Sequence, residues 1–176
     1  MEYFDILDED GNKTGRIKLR NEVHRDGDWH KAAHIWIVNP DEGVLLQRRC
    51  HTKDSWPDKL DISCAGHLSA GDSSMDGALR ELREELGLIV NAEDLKLVCT
   101  MKQPADPFSR IVNNEFADIY LLETECTLND MTFQIEEISE IFFVSKPEFR
   151  KMVEEKNLEL VPHEEEYSLI LKLINA

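Results

Sequence analysis

The sequence predicts an α/β domain built on a mixed β-sheet covered on both faces, and three observations predict it. Short strand-like segments recur along most of the chain. One amphipathic helix, with Met75, Ala78, Leu79, Leu82 and Leu86 at helical spacing, interrupts them near the middle. Two more helical patterns come late, after the last strand segments. The length of 176 residues suits one domain, 1–176, with a substantial core, and no repeat or linker marks a second.

Taken in order, Tyr3 to Leu7 and Gly15 to Leu19 form a hairpin around the turn Asp8-Glu9-Asp10-Gly11-Asn12. Arg20 to His24 is a helical turn. His30 to Asn39 carries a nearly continuous apolar run, the pattern of a strand buried on both faces. Asn39 to Gly43 is a hairpin loop, and Val44 to Arg49 returns. Asp61 to Ala65 is a short strand leading into Gly66. Asp72, Ser73 and Ser74 cap the central helix, and Gly87 ends it in a left-handed turn. Leu95 to Met101, Asn114 to Leu122, Met131 to Ile135 and Glu140 to Val144 read as strands, with Gln103 to Arg110 a proline-containing loop. A helix opens at Lys146-Pro147 and runs to about Lys156. His163 to Ile174 is the last helix.

The net charge of −16 argues against a binder of nucleic-acid polymers, whose affinity rests on phosphate contacts. It leaves room for a small phosphorylated ligand held by local cations. No apolar run is long enough to span a bilayer, and the acidic N-terminus lacks signal-peptide character, so a cytoplasmic protein without membrane partners is expected. Cys50, Cys64, Cys99 and Cys126 are scattered with no C-x-x-C pair, as expected of reduced thiols.

The chemistry concentrates on the central helix. Glu81, Glu84 and Glu85 fall at i, i+3 and i+4 and crowd one patch, where like charges repel by about a few tenths of a kcal/mol per pair. A solvated acidic face is one reading. The other is a site for a hard dication, Mg²⁺ or Mn²⁺, which prefers carboxylate oxygens. The full string decides between them. Gly66, five residues, Asp72, seven residues, then Arg80-Glu81-Leu82-Arg83-Glu84-Glu85-Leu86-Gly87-Leu88 resembles the signature of the Nudix hydrolase superfamily, with Asp72 where the family has its first glutamate.

That resemblance implies an α/β/α Nudix sandwich, with Glu81, Glu84 and Glu85 as metal ligands and the Gly66 carbonyl as a further oxygen. It also implies a general base outside the helix. Glu115 is the first candidate, and Glu136 and Glu137 follow. Family members often pair, so a homodimer is a candidate state.

Outside the signature the chain is similar to the isopentenyl-diphosphate-isomerase-like branch. The likeness rests on Arg20-x-x-x-His24, His30, Gln47-Arg48-Arg49-x-x-x-Lys53, Trp56-Pro57 and Gly66-His67. It implies diphosphate binding by Arg20, Arg49 and Lys53, and metal binding by His24, His30 and His67. Two departures stand out. Ala65 replaces the isomerase's catalytic cysteine, with Cys64 one residue earlier, and Asn113-Asn114-Glu115 replaces a Glu-x-Glu.

The expected function is therefore a metal-dependent pyrophosphohydrolase acting on a nucleoside diphosphate derivative or similar small molecule. The alternatives are an isomerase using a displaced Cys64, and a non-catalytic nucleotide sensor. Recognition is expected from the Gln103 to Arg110 loop and from Trp36, Trp56 or Phe108.

Overall fold

The computed structural model describes residues 1–107 and 111–175. Strand β3 (His30–Asn39) is the axis of a seven-stranded sheet. On one side it runs parallel to β8 (Glu115–Glu123), which pairs antiparallel with β7 (Leu95–Gln103). On the other side β3 has two antiparallel neighbours. Its last residues pair with β4 (Gly43–Arg49), and Ala32 to Ile35 pair with β6 (Cys64–His67). β4 continues to β5 (Leu60–Asp61) and β9 (Ile138–Val144). One parallel pair among antiparallel ones makes the sheet mixed.

Side-chain alternation along β3 builds two cores. Ala33, Ile35 and Ile37 face Ala78, Leu82 and Leu86 of α2 (Ser74–Leu86). Trp36 and Val38 face Phe149 of α3 (Lys146–Glu154), and Tyr167 and Ile170 of α4 (Glu164–Leu173). The result is the expected α/β/α sandwich. A separate hairpin, β1 (Tyr3–Leu7) with β2 (Lys13–Leu19), and the short helix α1 (Arg20–Asp26) close over a small cluster of Phe4, Ile6 and Val23. Among the described residues no helix is long and apolar enough to cross a membrane.

The ends of α2 follow the local signals. Ser73 accepts from the Asp76 amide at 3.1 Å, and Gly87 takes φ 68°, the left-handed conformation that glycine adopts without steric penalty.

Three expectations need correction. Met131 to Ile135 is not a strand. The Thr132 and Gln134 amides donate to the Leu86 and Glu85 carbonyls, so this segment satisfies the end of α2 instead of joining a ladder. Asp61 to Ala65 is broken into two short strands. Between them the Ser63 hydroxyl donates to the Leu45 carbonyl at 2.7 Å and accepts from the Ile37 amide at 2.8 Å, bridging the gap where β3 and β4 part. Gln103 belongs to β7, not to the loop that follows.

Candidate active site

A cavity of about 1240 Å³ opens where β3, β6 and β8 meet Met1, Glu2 and Arg20 at the ends of the N-terminal hairpin, the loop after β4 and the start of α4. Glu81, Glu84 and Glu85 all line it, beside Gly66. Gly66 sits against the Glu81 carboxyl group so closely that a Cβ there would approach it to under 3.0 Å. The missing side chain lets the strand backbone and the carboxylate share one place.

Arg80 sets this corner. It pairs with Asp72 and donates to Glu81 Oε1 and to the His67 carbonyl, each at 3.2 Å. Asp72 therefore holds the arginine that holds both the helix acid and the strand.

Glu85 is buried, and its Oε2 has no hydrogen-bond partner. Burial, and then the charge of Glu81, push its carboxyl up to about 7. Burial also raises Glu81. An acid with an orphaned buried oxygen beside Glu81, with Glu84 on the same cavity, fits a hard cation. The donor set holds oxygen only, which suits Mg²⁺ or Mn²⁺.

His24 from α1, His30 from β3 and His67 from β6 form a second cluster, with one ring nitrogen of each within 4.8 Å of the others. Phe4 stacks on His30 at 5.0 Å and completes the packing. His30 Nδ1 donates to the Asp28 carbonyl at 3.1 Å, which leaves a lone pair on Nε2. That atom and His24 Nε2 are buried without a hydrogen bond. Burial first, then the neighbouring rings, lower both histidines to about 4, so both are neutral ligand-ready imidazoles at pH 7.

Glu115 joins this cluster. Its Oε1 lies 2.9 Å from His67 Nε2 and 4.0 Å from His30 Nε2. Burial works to raise Glu115, but the His67 contact outweighs it and holds the group below the usual carboxylate range. Three nitrogens and one carboxylate make a set suited to a transition-metal ion.

The cations expected to bind diphosphate, Arg20, Arg49 and Lys53, all line the cavity. Each already has an acid. Arg20 donates to Glu2 at 3.0 Å, Arg49 to Asp61 at 2.7 Å, and Lys53 pairs with Glu137. Arg49 also donates to the Ser55 carbonyl at 3.0 Å, so its fork is anchored to the loop below β4.

The NUDIX domain profile matches residues 28–163, well over half of the chain. The chain belongs to the Nudix family. It is 42% identical over 167 residues to Nudix hydrolase 3 of Arabidopsis thaliana, covering 93% of this chain but only 22% of that much longer protein. An isopentenyl-diphosphate Delta-isomerase from Kocuria rhizophila is 32% identical over 121 residues, 68% of this chain and 66% of that one. The crystal structure of DR0079 from Deinococcus radiodurans superposes with a TM-score of 0.74 over 95% of this chain and 98% of that one. At 19% identity this likeness supports the fold alone.

Within this Nudix domain the departure at Ala65 has a structural meaning. Ala65 lines the cavity. Cys64 is fully buried in the core shared with α2, because a shift of one residue on a strand reverses the face. Burial, then Glu85 and Glu81, push its thiol well above the ordinary value. Cys64 therefore does not take the place of the isomerase's catalytic cysteine.

Of the aromatics, Trp36 is a fully buried core residue that donates to Glu166 at 2.7 Å, while Trp56 does line the cavity. Phe108 lies outside the described residues. Glu136 and Glu137 both reach the cavity wall.

Sequence reasoning placed Gln103 near recognition but overlooked the wall that His34, Asp61, His163 and Glu166 make beside it. One signal was available in His34, a lone polar side chain within the apolar run of β3. The burial of Glu166 had none, since it follows two other glutamates at the start of a helix.

Proposed function

We propose that this Nudix hydrolase is a metal-dependent pyrophosphohydrolase that cleaves the diphosphate linkage of a nucleoside diphosphate derivative or a similar small phosphorylated molecule. The observation that carries the reading is the orphaned Glu85 oxygen beside Glu81, Glu84 and the side-chain-free Gly66. These three acids and the Gly66 carbonyl would hold the ion. When bound, Mg²⁺ or Mn²⁺ supplies charge neutralisation at the diphosphate and makes water more acidic. Arg80 fixes Glu81 so that it need not reorganise on binding. Arg20, Arg49 and Lys53 offer charge to the diphosphate from the cavity wall, Arg49 as an anchored fork and Lys53 as a point charge.

Glu115 serves better as a ligand beside the three histidines than as the proton acceptor. A carboxylate held below its usual range takes up a proton poorly. Glu136, exposed on the cavity wall, is the better-placed acceptor.

The test is a panel of nucleoside diphosphates, nucleotide sugars and related diphosphates incubated with purified protein and Mg²⁺. Release of phosphate or monophosphate is expected, with kcat falling about 10²-fold in Glu84→Gln and Glu85→Gln. Absence of release from the whole panel would count decisively against hydrolysis.

The histidine cluster supports a second cation centre, for which the neutral rings and unpartnered nitrogens are the argument. Co²⁺ added to EDTA-treated protein is expected to give the visible absorption of a nitrogen-ligated ion. His67→Gln should abolish that spectrum, and an unchanged spectrum in this variant would place the ion elsewhere.

A further inference from the structure

A second part of the cavity lining is built around a buried ion pair. His34 projects from β3 on the same face as Ala65, its register partner on β6, so both floor the cavity. Its Nδ1 donates to Glu166 Oε2 at 2.9 Å. Glu166 is 1% exposed and takes two more donors, Trp36 Nε1 at 2.7 Å and Gln103 Nε2 at 2.9 Å. Both oxygens of Glu166 are thus in use, and this acid is a hub that binds no ligand itself.

His34 differs. Its second nitrogen, Nε2, has no hydrogen bond among the described residues. His34 is only 4% exposed, yet it lines the cavity beside Ala65, and with Nδ1 taken by Glu166 the Nε2 atom is the polar atom it has left for a ligand. The same arrangement repeats nearby, where buried Asp61 accepts from Arg49 at 2.7 Å and faces His163 Nε2 at 3.3 Å. The His34 and His163 rings meet edge to face at 5.5 Å.

We propose that His34 is a specificity-determining residue. Its Nε2–H donates a hydrogen bond to an acceptor oxygen on the group attached to the diphosphate, a sugar hydroxyl or nucleobase carbonyl, and Glu166 is its positioning residue. The inference rests on the pyrophosphohydrolase reading and adds to it what the pocket accepts and what it rejects. A hydrocarbon chain lying over Ala65 would cover the open N–H of His34 and offer it no acceptor. Covering a polar group without a partner is disfavoured, and more so for a charged one. A site built to hydrogen-bond its ligand rejects an analogue lacking the acceptor far more strongly than an apolar pocket discriminates by size. The charge on His34 supports the donor role. Burial alone would lower the imidazole, but Glu166 overrides it, with smaller contributions from Glu115 and Asp61, and raises it to about 9. Nε2 therefore carries a proton at neutral pH.

The experiment compares uridine diphosphate, UDP-glucose and isopentenyl diphosphate as substrates with Mg²⁺, using wild type, His34→Leu and His34→Gln. Wild type is expected to favour the uridine compounds over isopentenyl diphosphate by about 10²-fold or more in kcat/KM. In His34→Leu this preference should shrink at least about tenfold, mainly through KM for the uridine compounds. His34→Gln keeps a donor at this position and should hold the preference near that of wild type. An unchanged preference in His34→Leu overturns the proposal, as does a wild type that accepts isopentenyl diphosphate equally well.

A binding arm separates this proposal from the hydrolysis reading. The non-hydrolysable uridine and isopentenyl methylenediphosphonates are titrated into the same three proteins with Mg²⁺ and followed by calorimetry. If nothing is hydrolysed, yet wild type binds the uridine compound selectively and His34→Leu does not, the hydrolytic reading fails and the His34 assignment stands. Equal binding of the two compounds by wild type defeats the assignment whatever the turnover.

Discussion

Gly66→Ala is expected to abolish most activity, by about 10³-fold in kcat, while leaving the fold nearly as stable as wild type. The reason lies in what the added methyl would meet. Its neighbours are the terminal atoms of Glu81, a side chain with several rotatable bonds, and not backbone. Glu81 can swing away at little cost to the core, since Gly66 still pairs with Ala33 in the ladder. The movement takes the carboxylate out of the cavity corner and breaks its contact with Arg80. The methyl then occupies part of the space where the cation would sit. Thermal denaturation should therefore shift little, while turnover and the Mg²⁺ dependence of turnover change greatly. A variant that keeps wild-type kcat would show that Glu81 is not needed at that corner. A large loss of stability would show that the strand, not the acid, was disturbed.

Glu166→Gln is expected to cost about 2–4 kcal/mol of stability near pH 6.5 and much less near pH 9.5. Glu166 raises the folded-state value of His34 to about 9, above its unfolded value near 6.5. A group raised in this way contributes stability that is fully present below about pH 6.5 and is lost as pH rises through about 9. The neutral amide cannot hold the imidazolium, so the variant lacks that contribution at the lower pH. It loses little more at the higher pH, where wild type has lost it too. Urea denaturation of both proteins at the two pH values measures the double difference. A stability gap independent of pH would mean that Glu166 acts only through its bonds to Trp36 and Gln103 and not through the charge of His34.

Both experiments concern the same cavity, and they divide it by chemistry. One wall carries acids with oxygen to spare. The other carries acids already saturated by donors, with a donor left facing the space between.

What the sequence by itself determined is whatever depends on neighbours close along the chain. The i, i+3, i+4 spacing put Glu81, Glu84 and Glu85 on one patch of α2, and Ser73 and Gly87 bounded that helix. The alternation along β3 set two opposed cores. The one-residue offset of Cys64 from Ala65 set the two on opposite faces of a strand, and the structure decided that Ala65 is the one on the cavity.

Only the tertiary structure decided the contacts made across long stretches of chain. The Met131 to Ile135 segment looked like a strand until its amides were found on the end of α2. The neighbours of Glu115 were set by β8, which lies parallel to β3 and carries it to His67 and His30. Glu166 looked like one of three solvated glutamates until α4 docked on β3 and buried it against His34, more than a hundred residues away in sequence. Burial and pairing set the charge state of such groups, and both are properties of the assembled surface that no local pattern of residues encodes.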